Sequence, residues 1–346
     1  MTNLIDALHI PDTQSAHDDR KLAIQRVGIR GVRYPLQLKI EGAVLPTVAE
    51  WALDVALPAE QKGTHMSRFV AWLDALGEPV DAGVLKREVA RMLVLLHADE
   101  GRVEASFPFF LRKRAPVSGV ESLLEYQGRL IAETRAGTTT VSAEVVVAVK
   151  SLCPCSKEIS DYGAHNQRSH VTIRVELLGA ISWRELARFA EDAASSEIWS
   201  SLKRADEKWI TERAYENPKF VEDMVRDVAL ALNADPRVGH YTVDVENFES
   251  IHAHSAGQDR SLPNPSLREG GADSFGAAFG FVFRVAPRAR SASRNRYSTW
   301  AFALRSSAAA SRSISAHRAG SMRSRKAFLS GLAIVCGSSQ SSSLQL

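Results

Sequence analysis

The sequence predicts an α+β protein in which one order of elements, strand–strand–helix–helix–strand–strand, runs twice along residues 31–256. Three observations carry this expectation: stretches that alternate with period two, apolar stripes at helical spacing lying in pairs between them, and no Gly-rich phosphate loop or dinucleotide fingerprint. Parallel α/β sheets alternate strand and helix singly, whereas runs of strands enclosing paired helices belong to antiparallel α+β folds.

Residues 1–30 read as an N-terminal arm. Residues 32–40 alternate, with Tyr34, Leu36, Leu38 and Ile40 on one side, and 43–57 follow as a second strand after Gly42. Phe69, Val70, Leu73 and Leu76 fall at helical spacing over 66–76, as do Leu85, Val89, Met92, Leu95 and Leu96 over 84–97. Strand-like runs at 101–112 and 119–133 complete a first unit, 31–136. The second unit, 137–256, opens with the β-branched run 138–149 and the alternating run 169–178. Ser182, with Glu185 three residues on, forms a capping box for a helix reaching about residue 194. Asn217-Pro218 is expected to open another helix, with Pro218 in its first turn. Residues 241–248 return as a strand.

At 346 residues with 45% apolar content the chain can bury a sizeable core. No apolar run approaches the roughly 18 residues of a membrane span, and Asp6 and Asp12 occupy what would be a leader. Cys153 and Cys155 sit one residue apart, a poor geometry for a structural bridge. With Cys336 the only other cysteine, a reduced, cytoplasmic protein is expected, its cysteines serving as ligands or reactive groups. Charge is divided unevenly: residues 1–256 hold 30 basic and 37 acidic groups, while 257–346 hold twelve Arg and one Lys against Asp259, Glu269 and Asp273. That basic tail, rich in Ser, Ala, Arg and Gly and without periodicity, is expected to be disordered, its first few residues excepted because the second unit needs a closing strand beside 241–248. Charge bias without aromatic or fold context makes no case for a nucleic-acid partner.

The chemistry concentrates in SLCPCSKEISDYGAHNQRSH, from Ser151 to His170. Two cysteines and two histidines fall within eighteen residues, on a loop that Pro154 and Gly163 mark as irregular. Thiolate and imidazole both suit zinc and similar divalent ions, and the spacing matches no zinc-finger pattern. The bland reading is a small buried cysteine and a hydrogen-bonded histidine. A second group, 203–223, offers Asp206, Glu207, Glu212, Glu216, Glu222 and Asp223; a solvated helix face explains most of them. In a third, at the end of the last strand, His252 and His254 point the same way if that strand continues, beside Glu249.

The first loop, together with IQRVGIRGVRYPLQL from Ile24, KGTHMSRF from Lys62, LKRADEKWITERAYENPKFVED from Leu202 and VENFESIHAHSA from Val245, resembles the type IB GTP cyclohydrolase I family over about residues 10–256. The resemblance implies two tandem tunnelling-fold units, each an antiparallel sheet with two helices on one face. It also implies a homo-dimer or tetramer with active sites at subunit interfaces. GTP would be the substrate, converted with water to 7,8-dihydroneopterin triphosphate and formate at the entry to folate biosynthesis. Carried over by position, Cys153, His165 and Glu207 correspond to ligands of a divalent ion (zinc, manganese or iron). Glu222 corresponds to the purine anchor, His252 to the proton-transfer residue with Glu249 near it, and Cys155 to a supporting residue. Lys62, His65, Arg68, Lys157, Arg168, Lys203 and Arg204 are the cations available to a triphosphate. The readings set against this one are a tunnelling-fold enzyme with a cysteine nucleophile, such as a nitrile reductase, and a non-catalytic purine- or pterin-binding protein.

Overall fold

A computed structural model describes residues 12–265, so the first eleven residues of the expected arm and residues 266–346 of the expected tail lie outside the described residues. Eight strands form one sheet in the order β1-β2-β3-β4-β5-β6-β7-β8, every neighbouring pair antiparallel. The strands are β1 (Ile24–Ile40), β2 (Ala43–Leu57), β3 (Gly101–Arg114), β4 (Glu121–Arg135), β5 (Thr138–Leu152), β6 (Asn166–Leu177), β7 (Val238–Asn247) and β8 (Ala256–Pro263). Helices α1 (Met66–Asp74) and α2 (Ala82–Leu96) lie between β2 and β3. The short α3 (Pro154–Ile159) follows β5, and α4 (Trp183–Ala193), α5 (Arg204–Glu216) and α6 (Val221–Ala234) lie between β6 and β7.

The α+β class follows from the alternation, which buries one face of each strand. Val141, Ala143, Val145, Val147 and Val149 of β5 and Val171, Ile173 and Val175 of β6 point into the core, against Leu85, Val89 and Met92 of α2 and Leu186, Met224 and Val228 of α4 and α6. The core runs unbroken through both halves of the sheet. Two tight hairpins have positive φ at both central residues: Glu41-Gly42 between β1 and β2, and Ala136-Gly137 between β4 and β5, where the halves join. The capping box of α4 is formed as expected, Glu185 N–H donating to Ser182 Oγ at 3.2 Å and Ser182 N–H to Glu185 Oε2 at 2.8 Å.

Four expectations change. β1 starts at Ile24 and runs past an irregularity between Arg30 and Val32, and Gly28 is required there because a Cβ would lie 1.9 Å from Leu53 O. Part of the expected arm is therefore strand, and residues 14–18 pair with 60–63, Gly63 N–H donating to Gln14 O at 3.0 Å. The second half holds an extra helix, α5. Pro218 lies in the link after α5, and α6 starts at Val221, capped by the Asp223 carboxylate on Phe220 N–H at 3.1 Å.

Finally, the boundary drawn at 256 moves, since β8 continues to Pro263 along β7. Just beyond it Asn264 is buried and its Nδ2 donates to the carbonyls of Leu232, Asp235 and Val238 at 3.2, 3.1 and 2.9 Å. This side chain ties the end of α6 to the start of β7, adding to the backbone bonds from Asp235 N–H to Leu232 O and from Val238 N–H to Asp235 O. Asn264→Ala is expected to lower stability by about 1–3 kcal/mol, two N–H donors each contributing the usual net worth of a hydrogen bond; an unchanged urea midpoint would reject this role.

Candidate functional site

The ladder between β5 and β6 ends at Leu152–Asn166, and one further backbone bond, Cys153 N–H to His165 O at 3.1 Å, closes the loop between them. The two residues singled out in the sequence are thus brought together. Cys153 is half-buried and precedes α3, where its Sγ accepts from Ser156 N–H at 3.5 Å. Ser156 Oγ donates to Cys153 O and accepts from His165 N–H, both at 3.1 Å, so one hydroxyl ties the two ends of the loop. His165 Nδ1 lies 3.1 Å from Gln167 Oε1 and 3.2 Å from Ser250 Oγ. The Ser250 contact brings the third sequence group to the first. Beneath them, Ser151, Gln167, Ser169 and Asn247 are buried and joined side chain to side chain.

The second group arrives only in part. Lys219 N–H donates to Leu152 O at 3.0 Å, setting the start of α6, where Glu222 is half-buried, at the corner that leads into Cys153. Glu207 does not join. It is exposed near the start of α5 and paired with Arg204 at 3.5 Å. The end of α5 that meets the loop is the other one: Lys157 of α3 donates to Tyr215 O and lies 4.4 Å from the Tyr215 ring. Eight residues of helix separate Glu207 from Tyr215, roughly 12 Å at 1.5 Å per residue. Among the described residues no three His, Cys, Asp or Glu side chains are gathered to hold a metal. Within one copy of the chain, Cys153 and His165 thus meet without Glu207 joining them.

β7 ends at Asn247, so His252 and His254 do not continue a strand. They sit exposed in the turn before β8 with rings stacked at 5.2 Å. Glu249 is half-buried beside Asn247, and Cys155 is exposed on α3. Of the expected cations, Lys157 is engaged with Tyr215, Arg204 with Glu207, His65 with Asp12 at 3.2 Å and Arg68 with Leu95 O at 3.2 Å. Lys203 is exposed at the cap of α5, and Lys62 is exposed beside the arm. Arg168 is exposed on β6, opposite Lys150 of β5, whose pKa is lowered by burial. On the same face, burial and then Arg168 lower the pKa of His170 against the opposing pull of Glu246.

Sequence reasoning missed Gln167, Ser169, Asn247, Ser151 and Ser250. A signal existed for the strand residues: Gln167 and Ser169 occupy inward positions that Val171, Ile173 and Val175 continue.

An antiparallel α+β sheet carrying a thiol and an imidazole at one strand end, beside a turn with two more imidazoles, defines a protein equipped for metal-assisted or acid–base chemistry. The chain belongs to the type I GTP cyclohydrolase FolE2 family, whose sequence profile matches residues 10–257. It is 67% identical over 279 residues to GTP cyclohydrolase FolE2 of Methylibium petroleiphilum, covering 72% of this chain and 94% of that protein. It is 57% identical over 256 residues to GTP cyclohydrolase FolE2 2 of Cupriavidus metallidurans, covering 74% and 96%. Among solved structures, uricase from Arthrobacter globiformis aligns with a TM-score of 0.42 at 11% identity over 72% of this chain and 96% of its own, a likeness too loose to carry an argument. No helix among the described residues is long and apolar enough to cross a membrane.

Asp206, the buried neighbour of Glu207, is structural. Its carboxylate accepts from Val117 N–H, Ser118 N–H, Ser118 Oγ and Lys203 N–H at 2.9, 2.8, 2.6 and 2.8 Å, pinning α5 to the turn between β3 and β4. Burial pushes its pKa up, but these bonds outweigh burial and hold it well below the usual carboxylate range. A depressed native pKa stabilises the fold above the unfolded value, and that contribution is lost as pH falls through the native one. Asp206→Asn is therefore expected to lower Tm at neutral pH, with the gap from wild type narrowing below about pH 4. A gap independent of pH from 7 to 3 would show that ionisation of Asp206 plays no part.

Proposed function

We propose that the chain is a GTP cyclohydrolase I of the type IB class, converting GTP and water into 7,8-dihydroneopterin triphosphate and formate in folate biosynthesis. The observation that carries the reading is the closure of Cys153 on His165, in a chain whose family membership spans residues 10–257. In this reading Cys153 Sγ and His165 Nε2 hold a divalent ion, zinc by donor chemistry or manganese or iron by resemblance, which supplies a Lewis acid for water at neutral pH. Glu222 accepts two N–H groups of the guanine edge, a geometry suited to a carboxylate. His252 moves the proton that ring opening requires, with Glu249 beside it and Cys155 supporting the loop. Arg168 and Lys203 meet the triphosphate.

A homo-dimer or tetramer with sites at subunit interfaces completes the proposal. Two observations support it among the described residues: no three metal-ligating side chains gather within one copy, which leaves room for a carboxylate from a second, and β1 and β8 each pair on one side only.

Chelated protein given GTP is expected to release formate only after a divalent metal is restored, and Cys153→Ala is expected to lose both turnover and most bound metal. Full metal stoichiometry in the alanine variant would reject the ligand assignment. For His252→Ala, turnover is expected to fall about 10²–10⁴-fold, the usual contribution of a general acid or base, with little change in GTP binding. Near-normal turnover with a large rise in the GTP dissociation constant would make His252 a binding residue instead.

A further inference from the structure

The buried side chains under His165 form a single directed chain. Ser169 Oγ donates to Asn247 Oδ1 at 2.7 Å. A hydroxyl has one proton, so Ser169 must accept from Ser151 Oγ, also at 2.7 Å. Ser151 has then given up its only proton and accepts from Gln167 Nε2 at 3.1 Å. That bond turns the Gln167 amide so that Oε1 faces His165 Nδ1 at 3.1 Å. An amide oxygen only accepts, so Nδ1 must carry the proton.

The exposures of Ser151, Gln167, Ser169 and Asn247 are 0, 8, 0 and 4%, which leaves little room for water to substitute for a reversed link. Reversing one link alone would set two lone pairs or two protons face to face in a buried site. The other neighbour of Nδ1, Ser250 Oγ, is exposed and can donate or accept, so it adapts to whichever tautomer is present. His165 Nε2 has no partner among the described residues.

We propose that Gln167 is a positioning residue, held by the Ser151–Ser169–Asn247 chain, that fixes His165 as the Nδ1–H tautomer and leaves the Nε2 lone pair open for the site. An imidazole that ligates a metal or takes a proton through one nitrogen needs its other N–H held in this way. The proposal deepens the role given to His165 above, but the tautomer exists whether or not the chain turns over GTP.

The test is a two-bond ¹H–¹⁵N correlation of the histidine rings in the full-length, chelated protein at alkaline pH, with His165 assigned by loss of its signals in His165→Asn. The expected pattern is protonated Nδ1 and unprotonated Nε2. Gln167→Leu is expected to average the two tautomers and weaken zinc binding by about 10–100-fold in chelator competition. Gln167→Glu, which keeps an acceptor facing Nδ1 but sets a second one against Ser151 Oγ, is expected to retain the wild-type tautomer in a less stable protein. A proton on Nε2 in the wild type, which would mean that the whole chain runs the other way from a flipped Asn247 amide, overturns the proposal. So does a folded Gln167→Leu whose tautomer and zinc affinity are unchanged. If the wild-type pattern is as stated but metal-restored protein releases no formate, the cyclohydrolase reading fails and this one stands.

Discussion

The hydrogen bond from Cys153 N–H to His165 O is the constraint on which the rest of the site depends. It extends the β5–β6 ladder by one bond past Leu152–Asn166 and so fixes where the eleven-residue excursion 154–164 leaves and rejoins the sheet. Loop closure of this kind has an entropic cost that grows only slowly with length, and an existing eleven-pair ladder has already met most of it. The loop can therefore be polar and irregular without threatening the fold. Ser156, bonded to Cys153 O and His165 N–H, is the small local lock that makes the two functional residues move together.

A polar seam inside an apolar sheet face would ordinarily be a defect. Val147, Val149, Val171 and Ile173 line the same face, and each buried hydroxyl or amide placed beyond them needs a partner. Ser151, Gln167, Ser169 and Asn247 partner one another across three neighbouring strands, so the β5–β6–β7 register and the seam specify each other. A one-residue slip would turn all four outward and set valines in no useful place. The seam thus links the fold's pairing accuracy to the orientation of His165.

Much of this was legible in the sequence and some was not, for physical reasons that differ by element. Alternation at 169–178 and the Ser182–Glu185 box are local codes, and both elements form where those codes put them. The clustering of Cys153 and His165 was legible as composition, but their contact is a product of the ladder. β8 was legible only as a need of the second unit for a closing strand beside 241–248: the run AGQDRSLP has no buried alternation, and its strand is held by backbone pairing with β7 and by the Asn264 anchor. The early start of β1 was hidden by Gly28 and Gly31, residues that usually interrupt strands and here permit a close approach to β2 and an irregular step. Helix α5 was legible only as a solvated, charged helix face without bounds, because it buries little, only Asp206, Ile210 and Ala214.

That helix also explains why Glu207 does not gather with Cys153 and His165 within one copy of the chain. A mobile loop could swing a carboxylate toward them, but α5 is fastened at both ends. Asp206 binds its start to the turn after β3, and Lys157 clasps its end at Tyr215. Moving Glu207 toward Cys153 would require breaking the four bonds of Asp206, one residue away, and leaving that carboxylate buried without partners. The barrier to closing the site by local motion is therefore a property of the fold. The same rigidity that keeps Glu207 away from its own Cys153 holds it exposed near the start of α5.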